Sequence, residues 1–318
     1  MAELTKSETL IVKAASLYYI TGLTQEQIAK QFGVSRPTVV RMLKKAVDEG
    51  YVEIRMTKKL PRTMELETQL QAKYSVNRLN HIIVVESDGN DEDAKTAVGI
   101  AAAEYLEQNL KKDHILGIGW SSTLTHIPKY IKKVKTSPQR VVQLGGFLQG
   151  LGTANAQNIS IQLGNVLNTA VETIPAPVLL ENSMVCQALL KDISVANTMK
   201  WVAKCNIGLV GIGVATKQST LVQAGYLKEI EVEKVNKQGA EGEVLSHYFD
   251  KEGKEIVTPW FDRMVSVDLE TLKNIDNLVG VAAGKDKAKA VNSVIKSDII
   301  STLVIDVALA EALQELNH

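Results

Sequence analysis

Short runs of aliphatic and β-branched residues alternate with stretches of helical periodicity from about residue 79 onward. Helices are predicted over 96–110 and 286–295, among others. The strand candidates are 81–86, 115–120, 140–144, 207–212, 278–282 and 302–306. Because strands that alternate with helices form a mostly parallel sheet with helices on both faces, the pattern predicts an α/β, Rossmann-like body.

Several of the predicted strands end in glycine and small polar residues, where ligands bind to open α/β sheets. The segment 119–123 is the best candidate, because Gly119 lets the backbone approach a ligand closely. Ser121, Ser122 and Thr123 add hydroxyls to the backbone amides of a helix start, which suits an anion such as phosphate. Tight packing between strand and helix explains the glycine equally well, and the spacing of a Walker-type loop is absent.

Charged residues close to other strand ends are further candidates for ligand contacts. Lys287 follows the strand candidate 278–282 and could hold a phosphate as a point charge, with Lys285 and Lys289 as competitors. Three side chains could hydrogen-bond sugar hydroxyls: Glu243, His247 and Asp306. Histidine and cysteine positions have no metal-ligand spacing, and no nucleophile–base pair is evident, so no metal site, cofactor or catalytic residue is predicted.

The first fifty residues have the pattern of a helix–turn–helix. Helices are predicted over 25–32 and 36–49, joined by a turn at Gly33 and with Ser35 as the second helix's cap. One arc of the second helix is apolar: Val39, Val40, Leu43, Ala46 and Val47. The other arc is polar and basic: Pro37, Thr38, Arg41, Lys44 and Lys45. This pattern predicts a helix that enters the DNA major groove, and a helical bundle with a solvated basic face is the alternative.

The side chains of the basic arc have different chemistry towards DNA. Thr38 and Arg41 are placed for base edges, because arginine pairs bidentately with guanine and threonine contacts the thymine methyl. Several cations are expected to neutralise phosphates: Arg36, Lys44, Lys45, Lys58 and Lys59. Gln25 and Gln27 could contact backbone oxygens.

The charge distribution agrees with a polyanionic partner for the N-terminal piece. Residues 1–60 carry ten basic and six acidic side chains, a net +4, whereas the whole chain is neutral. Residues 51–56 alternate like a strand before Lys58 and Lys59. This segment could be the hairpin of a winged domain with lysines at phosphates, or a short strand that closes the small domain.

The dipeptide Leu60-Pro61 ends the small piece, because the residue before a proline is displaced from helical geometry. The predicted domains are 1–60, a linker helix 61–77 and the body 78–318. Apolar residues recur at helical spacing in the linker: Leu66, Leu70 and Tyr74. The linker helix could pair with a second copy or lie on the body of the same chain.

Targeting signals are not evident in the sequence. No apolar run approaches the ~18–20 residues of a membrane span, and the first residues lack a signal-peptide pattern. The two cysteines are too few for a disulfide framework. We therefore expect a cytoplasmic protein that does not engage a membrane.

The order of these features resembles the SorC family of bacterial transcription regulators, grouped with the deoxyribonucleoside regulator type. The resemblance rests on 25–45, 117–120, 141–146, 175–177, 211–213, 248–250 and the Ala283-Gly284-x-x-Lys287-Ala288 motif. It implies a body with the sugar-phosphate-isomerase fold that binds a phosphorylated sugar and forms dimers or tetramers. By resemblance, phosphate would meet Ser121, Ser122, Thr123 and Lys287, and the sugar end would meet Gly145, Gly146 and Glu243.

The expected function is therefore a regulator of a carbohydrate operon, which binds operator DNA and is controlled by a phosphorylated sugar. The alternative is an active sugar-phosphate isomerase with an appended basic domain, since the body fold would be the same. An isomerase needs a general base, for which Glu243 and Asp306 are the candidates.

Overall fold

The computed structural model describes residues 5–53, 60–87, 89–132, 134–149 and 154–316. The chain divides into two units, 1–60 and 61–318, and each has its own hydrophobic core. The N-terminal unit contains α1 (Lys6–Ala15), a π-helical turn (Ser16–Ile20), α2 (Gln25–Phe32) and α3 (Arg36–Asp48).

The helix–turn–helix forms where the capping residues predict it. Thr24 and Gln27 form a capping box, in which each side chain accepts a hydrogen bond from the other residue's backbone N–H, at 3.3 and 2.9 Å. Gly33 ends α2 with φ 65°, a left-handed conformation that favours glycine. Ser35 precedes α3, but its hydroxyl lies 2.9 Å from the Thr38 hydroxyl and caps no backbone amide.

The apolar arc of α3 is narrower than predicted. Val39, Leu43 and Ala46 are buried, as i, i+4 and i+7 positions on one face. Val40 and Val47 are 43% and 37% exposed, so their predicted place in the core is wrong. Each of them follows a buried residue by one position and is rotated by about 100° from it around the helix axis.

The predicted wing falls mostly on residues that the structure does not describe. Tyr51 and Val52 lie in bends, and the Val52 N–H donates to the carbonyl of Ala46 at 3.0 Å. Residues 54–59, which include Lys58 and Lys59, lie outside the described residues.

The linker helix lies on the body of the same chain. It is α4 (Arg62–Lys73), and it packs against the last helix and first strand of the second unit. Leu66 and Leu70 are fully buried. At the helix start, Arg62 Nη2 donates to Glu311 Oε1 at 2.8 Å. At its end, Lys73 Nζ donates to the carbonyls of Leu313 and Leu316.

The second unit is built on a seven-stranded parallel sheet, and the predicted α/β fold class is confirmed. The strand order is β1-β11-β10-β5-β2-β3-β4, and every pairing between neighbours is parallel. The strands are β1 (His81–Val85), β2 (Ile115–Ile118), β3 (Arg140–Gln143), β4 (Val171–Glu172), β5 (Ile207–Gly211), β10 (Asn277–Ala282) and β11 (Thr302–Asp306). Six of these correspond to predicted strands, and the two-residue β4 was not predicted.

Helices cover both faces of the sheet. Helices α5 (Asp91–Asn109) and α7 (Ala156–Leu167) share one core cluster, whereas α4, α13 (Ala288–Lys296) and α14 (Val307–Glu315) share another. The remaining helices are α6 (Ile127–Tyr130), α8 (Ser183–Lys191), α9 (Ile193–Val202), α10 (Thr220–Gln223), α11 (Glu229–Lys237) and α12 (Leu269–Asn274). Short 3₁₀ turns cover Leu124–His126, Phe261–Arg263 and Lys285–Lys287.

A second, antiparallel sheet lies beyond the end of β5 and was not predicted. It contains β6 (Gly213–Val214), β7 (Ala240–Val244), β8 (His247–Asp250) and β9 (Glu255–Ile256), in that order. Its hairpin between β7 and β8 turns at Leu245 and Ser246, which have φ 52° and 71°. In the described part of the chain, no helix combines the length and apolarity needed to cross a membrane.

Candidate functional site

A polar cavity of about 120 Å³ lies where three central strands, β2, β5 and β10, end. Its lining comes from the turn after β2, the β5–β6 junction, α10, β7 and the turn after β10. The lining residues are Trp120, Ser121, Ser122, Gly211, Ile212, Gly213, Val214, Gln218, Thr220, Glu243 and Lys287. Carboxyl ends of parallel strands meet at one edge, which is why segments far apart in sequence share this cavity.

Four of the eight predicted effector residues line the cavity: Ser121, Ser122, Glu243 and Lys287. Thr123 lies just behind them and is fully buried. Its backbone N–H donates to Ser121 Oγ at 3.1 Å, which fixes the turn after β2. Among the competing lysines, Lys285 and Lys289 are exposed and lie outside the cavity lining.

The three predicted glycines pack closely against the protein. A Cβ on Gly119 would lie 3.0 Å from the Leu245 side chain, and one on Gly145 would lie 2.6 Å from the Trp120 ring. At Gly146 a Cβ would lie 2.6 Å from the Ala176 carbonyl oxygen. None of the three lines the cavity, so their small size serves packing in this structure.

Lys287 supplies the positive charge of the cavity. Its ammonium donates to the carbonyl oxygen of Ile212 at 3.3 Å, its one hydrogen-bond partner within the described residues. Burial lowers the pKa of Lys287, because an ammonium loses hydration there. A half-buried ammonium with a single neutral partner is an arrangement that an anionic ligand would complete.

Glu243 supplies the one carboxyl group of the cavity lining. It is 4% exposed, and its Oε1 accepts a hydrogen bond from the backbone N–H of Ser246. Burial raises the pKa of Glu243 to about 7, so the group can be neutral or charged near neutral pH. A carboxyl group that can both accept and donate hydrogen bonds suits a hydroxyl-bearing ligand.

The other two sugar-hydroxyl candidates bind protein groups. His247 Nδ1 lies 2.6 Å from Glu255 Oε1, and Nε2 lies 2.9 Å from the Val267 carbonyl oxygen. Burial opposes the charged ring, but these hydrogen bonds outweigh it and raise the pKa of His247. Asp306 Oδ1 accepts from the Gly284 N–H at 2.8 Å and holds the turn that leads to Lys287.

Sequence reasoning missed two polar residues of the cavity, Gln218 and Thr220. They come from the hydroxyl- and amide-rich segment 216–220, directly after the short strand β6. The sequence contains a signal for them, because this segment follows Gly211 and Gly213, which end β5 and begin β6. The signal is weak because β6, with two residues, is too short to be recognised from its sequence.

The predicted DNA-contacting side chains form one exposed surface on α3. Arg36, Pro37, Arg41, Lys44 and Lys45 are exposed, and Thr38 and Gln25 are partly exposed. Two contacts link them: Arg36 Nε donates to Gln25 Oε1 at 3.2 Å, and Arg41 Nη2 donates to Thr38 Oγ1 at 3.4 Å. Lys45 pairs with Glu49 at 3.4 Å. The arrangement presents cations and hydrogen-bonding groups on one side of a helix, as a major-groove reader does.

Comparison with protein families gives two matches along the chain. Residues 58–315 match the family model described as "Putative sugar-binding domain". Residues 16–59 match a model described as "MarR family". The first model covers the cavity, and the second covers the helix–turn–helix.

Similar proteins of known name are regulators. The chain is 28% identical to the "Deoxyribonucleoside regulator" of Bacillus subtilis, over 97% of this chain and 98% of the relative. It is 27% identical to the "Erythritol catabolism regulatory protein EryD" of Brucella abortus, over 96% of both chains. These names favour the regulator over the isomerase alternative.

A solved structure matches along nearly the whole chain. It is the full-length sorbitol operon regulator SorC from Klebsiella pneumoniae, with a TM-score of 0.74 and 22% sequence identity. The match covers 96% of this chain and 99% of that one. At this identity it shows a shared fold, and together with the family models it confirms the resemblance to SorC-type regulators.

Proposed function

The chain belongs to the family of regulators that carry this sugar-binding domain, the SorC type, and we propose that a phosphorylated sugar bound at the cavity controls its binding to operator DNA. Lys287 carries the proposal for the effector, because its half-buried ammonium has one neutral partner within the described residues. Such a cation, beside the hydroxyls and amides of a glycine-containing turn, is suited to a phosphate group.

Each part of the effector has its own set of residues in this proposal. The phosphate binds Lys287 and the hydroxyls of Ser121 and Ser122, on a turn supported by Thr123 and Gly119. A sugar hydroxyl binds Glu243. Gly145 and Gly146 act on the sugar end only indirectly: Gly145 lets the backbone approach Trp120, which lines the cavity, and Gly146 lets it approach residues 176–177.

The DNA-bound state uses the exposed surface of α3. Thr38 and Arg41 meet base edges, and Pro37 lies next to Thr38 on the same surface. The DNA backbone is contacted by Gln25, Arg36, Lys44, Lys45 and Lys58. Helix–turn–helix proteins bind two half-sites as dimers, so we infer a dimer or a dimer of dimers. A regulator of operon DNA works in the cytoplasm.

The effector can act on DNA binding only through a difference in its affinity for two states of the protein. By linkage, DNA must change the affinity for the effector by the same factor. The relatives named for deoxyribonucleosides and erythritol support a carbohydrate operon as the target.

The decisive experiment selects binding sites from a pool of random DNA duplexes with three full-length proteins. These are the wild type, Arg41→Ala and Arg36→Ala, so that both variants lose one arginine from the same helix. We expect the wild type and Arg36→Ala to enrich the same sequence, with weaker binding by Arg36→Ala at every site. Arg41→Ala should lose a preference worth ~1–3 kcal/mol at one base pair of each half-site.

Two outcomes would contradict the proposed DNA role. One is the absence of any enriched sequence with the wild-type protein. The other is an unchanged preference in Arg41→Ala, which would remove this side chain from base recognition.

A further inference from the structure

The cavity contains one cation and one carboxyl group among its lining residues, Lys287 and Glu243. A second cation nearby, Lys95, lies 3.7 Å from the Glu92 carboxylate and lines no part of the cavity. The remaining polar lining consists of hydroxyls, amides and an indole ring. The described cavity can therefore neutralise one anionic group, next to Lys287.

The chain segment that includes the end of β3 carries no charged side chain. From 141 to 171 the sequence contains no lysine, arginine, histidine, aspartate or glutamate. This stretch includes the end of β3, the segment that follows it and the whole of α7. No side chain of this stretch can therefore supply a cation to a ligand.

The β1 side of the sheet edge is acidic. Glu86 follows β1, Asp306 ends β11, and α5 begins with Asp91, Glu92 and Asp93. The ring of His126 lies 3.2 Å from Glu92, and burial lowers the pKa of that histidine, which favours its neutral form. Lys285 is exposed. An additional anion on this side would meet carboxylates.

A neighbouring cavity of about 270 Å³ does not supply a second anion site either. Its lining is mainly apolar, and its charged or titratable side chains include His247, Asp262 and Asp268. His247 has both ring nitrogens occupied, by Glu255 and by the carbonyl of Val267. A second phosphate there would face two carboxylates with no free cation among the described lining residues.

We propose that the effector carries a single phosphate group and is otherwise uncharged, so that the site discriminates against bisphosphates. This inference rests on the proposed function and specifies the ligand class of the same site. A second phosphate would add a charge of about −1.5 to −2 beside Glu243 without a counter-ion. Hydroxyl groups in that place can instead be satisfied by Glu243, Gln218 and Thr220.

The test is a thermal-shift and calorimetric titration with pairs of ligands that differ by one phosphate. The full-length protein is titrated with inorganic phosphate, with ribose 5-phosphate and ribose 1,5-bisphosphate, and with fructose 6-phosphate and fructose 1,6-bisphosphate. We expect a monophosphate to stabilise the protein more than inorganic phosphate does. Its bisphosphate partner should bind at least about tenfold more weakly.

A variant that adds a positive charge to the cavity checks the cause of this discrimination. Gln218→Lys adds a cation to the cavity lining, whereas Gln223→Lys adds the same charge on α10 outside the lining. We expect only Gln218→Lys to raise the bisphosphate-to-monophosphate affinity ratio, by about tenfold or more.

Different results would overturn the single-phosphate inference and the proposed phosphorylated effector. A bisphosphate that binds wild type as tightly as its monophosphate partner overturns the single-phosphate inference and leaves the regulator intact. An equal change of the ratio in Gln218→Lys and Gln223→Lys also overturns it. If no phosphate compound, inorganic phosphate included, stabilises the protein, the phosphorylated effector of the proposed function fails as well.

Discussion

The two candidate sites place their charges in opposite environments. Arg41 and Lys44 of the N-terminal unit are exposed on a helix whose buried face makes the core. Glu243 is buried and Lys287 half-buried, and both belong to the framework of the body. An exposed cation keeps its hydration and costs the fold little, whereas a buried ionisable group changes stability with its protonation and its ligand.

The difference follows from the partner that each surface fits. A DNA duplex is a large polyanion, and an array of exposed cations meets it by displacing counterions. A small anion has to be held by a few converging groups in a cavity. A mutation in the first site should thus reduce binding without changing the free energy of unfolding. A mutation in the second site should affect ligand binding and stability together.

The largest expected effect is the pH dependence that Glu243 gives to the body. Burial raises the pKa of Glu243 from its ordinary value of 4.5 to about 7. Between these values the native state holds a proton that the unfolded chain has released, so the free energy of unfolding falls as pH rises. At about 1.4 kcal/mol per pH unit, the free energy of unfolding decreases by on the order of 3 kcal/mol by pH 8.

Glu243→Gln should remove this loss, and urea unfolding at pH 5, 6, 7 and 8 measures it. His247 is the control, because its raised pKa gives stability that is present below 6.5 and is lost as pH rises through the higher native value. His247→Gln should therefore change the dependence of the unfolding free energy on pH in a more alkaline range. A Glu243→Gln profile parallel to wild type between pH 5 and 7 would show that the buried carboxyl is not protonated as described.

The next effect concerns ligand stabilisation through Lys287. A ligand at 100 times its Kd stabilises the native state by about 2.7 kcal/mol, which raises Tm by roughly 5 °C or more in a body of this size. Lys287→Met should abolish this rise for any phosphate compound and leave the unliganded Tm equal or higher, because a half-buried charge is removed. Lys285→Met, three residues from the end of β10, is the exposed control. Equal ligand shifts in both variants would remove Lys287 from the site.

The strands of the main sheet were predictable because their burial is continuous. β2 and β11 are buried along their whole length, and such apolar runs read as strands between helical patterns. The meeting of Ser121 and Lys287 was equally predictable, since parallel strands end at one edge. The fold class and the meeting of these cavity residues follow from these two facts.

The second sheet could not be predicted from local pattern. Ala240–Val244 has the sequence Ala-Glu-Gly-Glu-Val, whose glycine and two glutamates are residue types depleted in strands, and its Gly242 is required by packing. A Cβ there would lie 2.4 Å from the backbone oxygen of Ala290. The roles of Gly145 and Gly146 could not be predicted for a similar reason. Close packing and ligand contact both favour glycine, so the residue type alone does not distinguish them.

The smallest expected effect tests whether the DNA surface is independent of folding. Lys44 is exposed and lies on α3 away from the buried Leu43. Lys44→Ala should change the free energy of unfolding by less than about 0.5 kcal/mol, because surface substitutions without partners have little effect. The same variant should lower the slope of log affinity against log salt by about 1, since one phosphate contact is lost for all DNA sequences.

Urea unfolding and fluorescence anisotropy at several salt concentrations measure the two quantities on one preparation. A full salt slope with intact stability would place Lys44 outside the interface, and a large loss of stability would mean that the exposed surface of α3 is part of the fold after all.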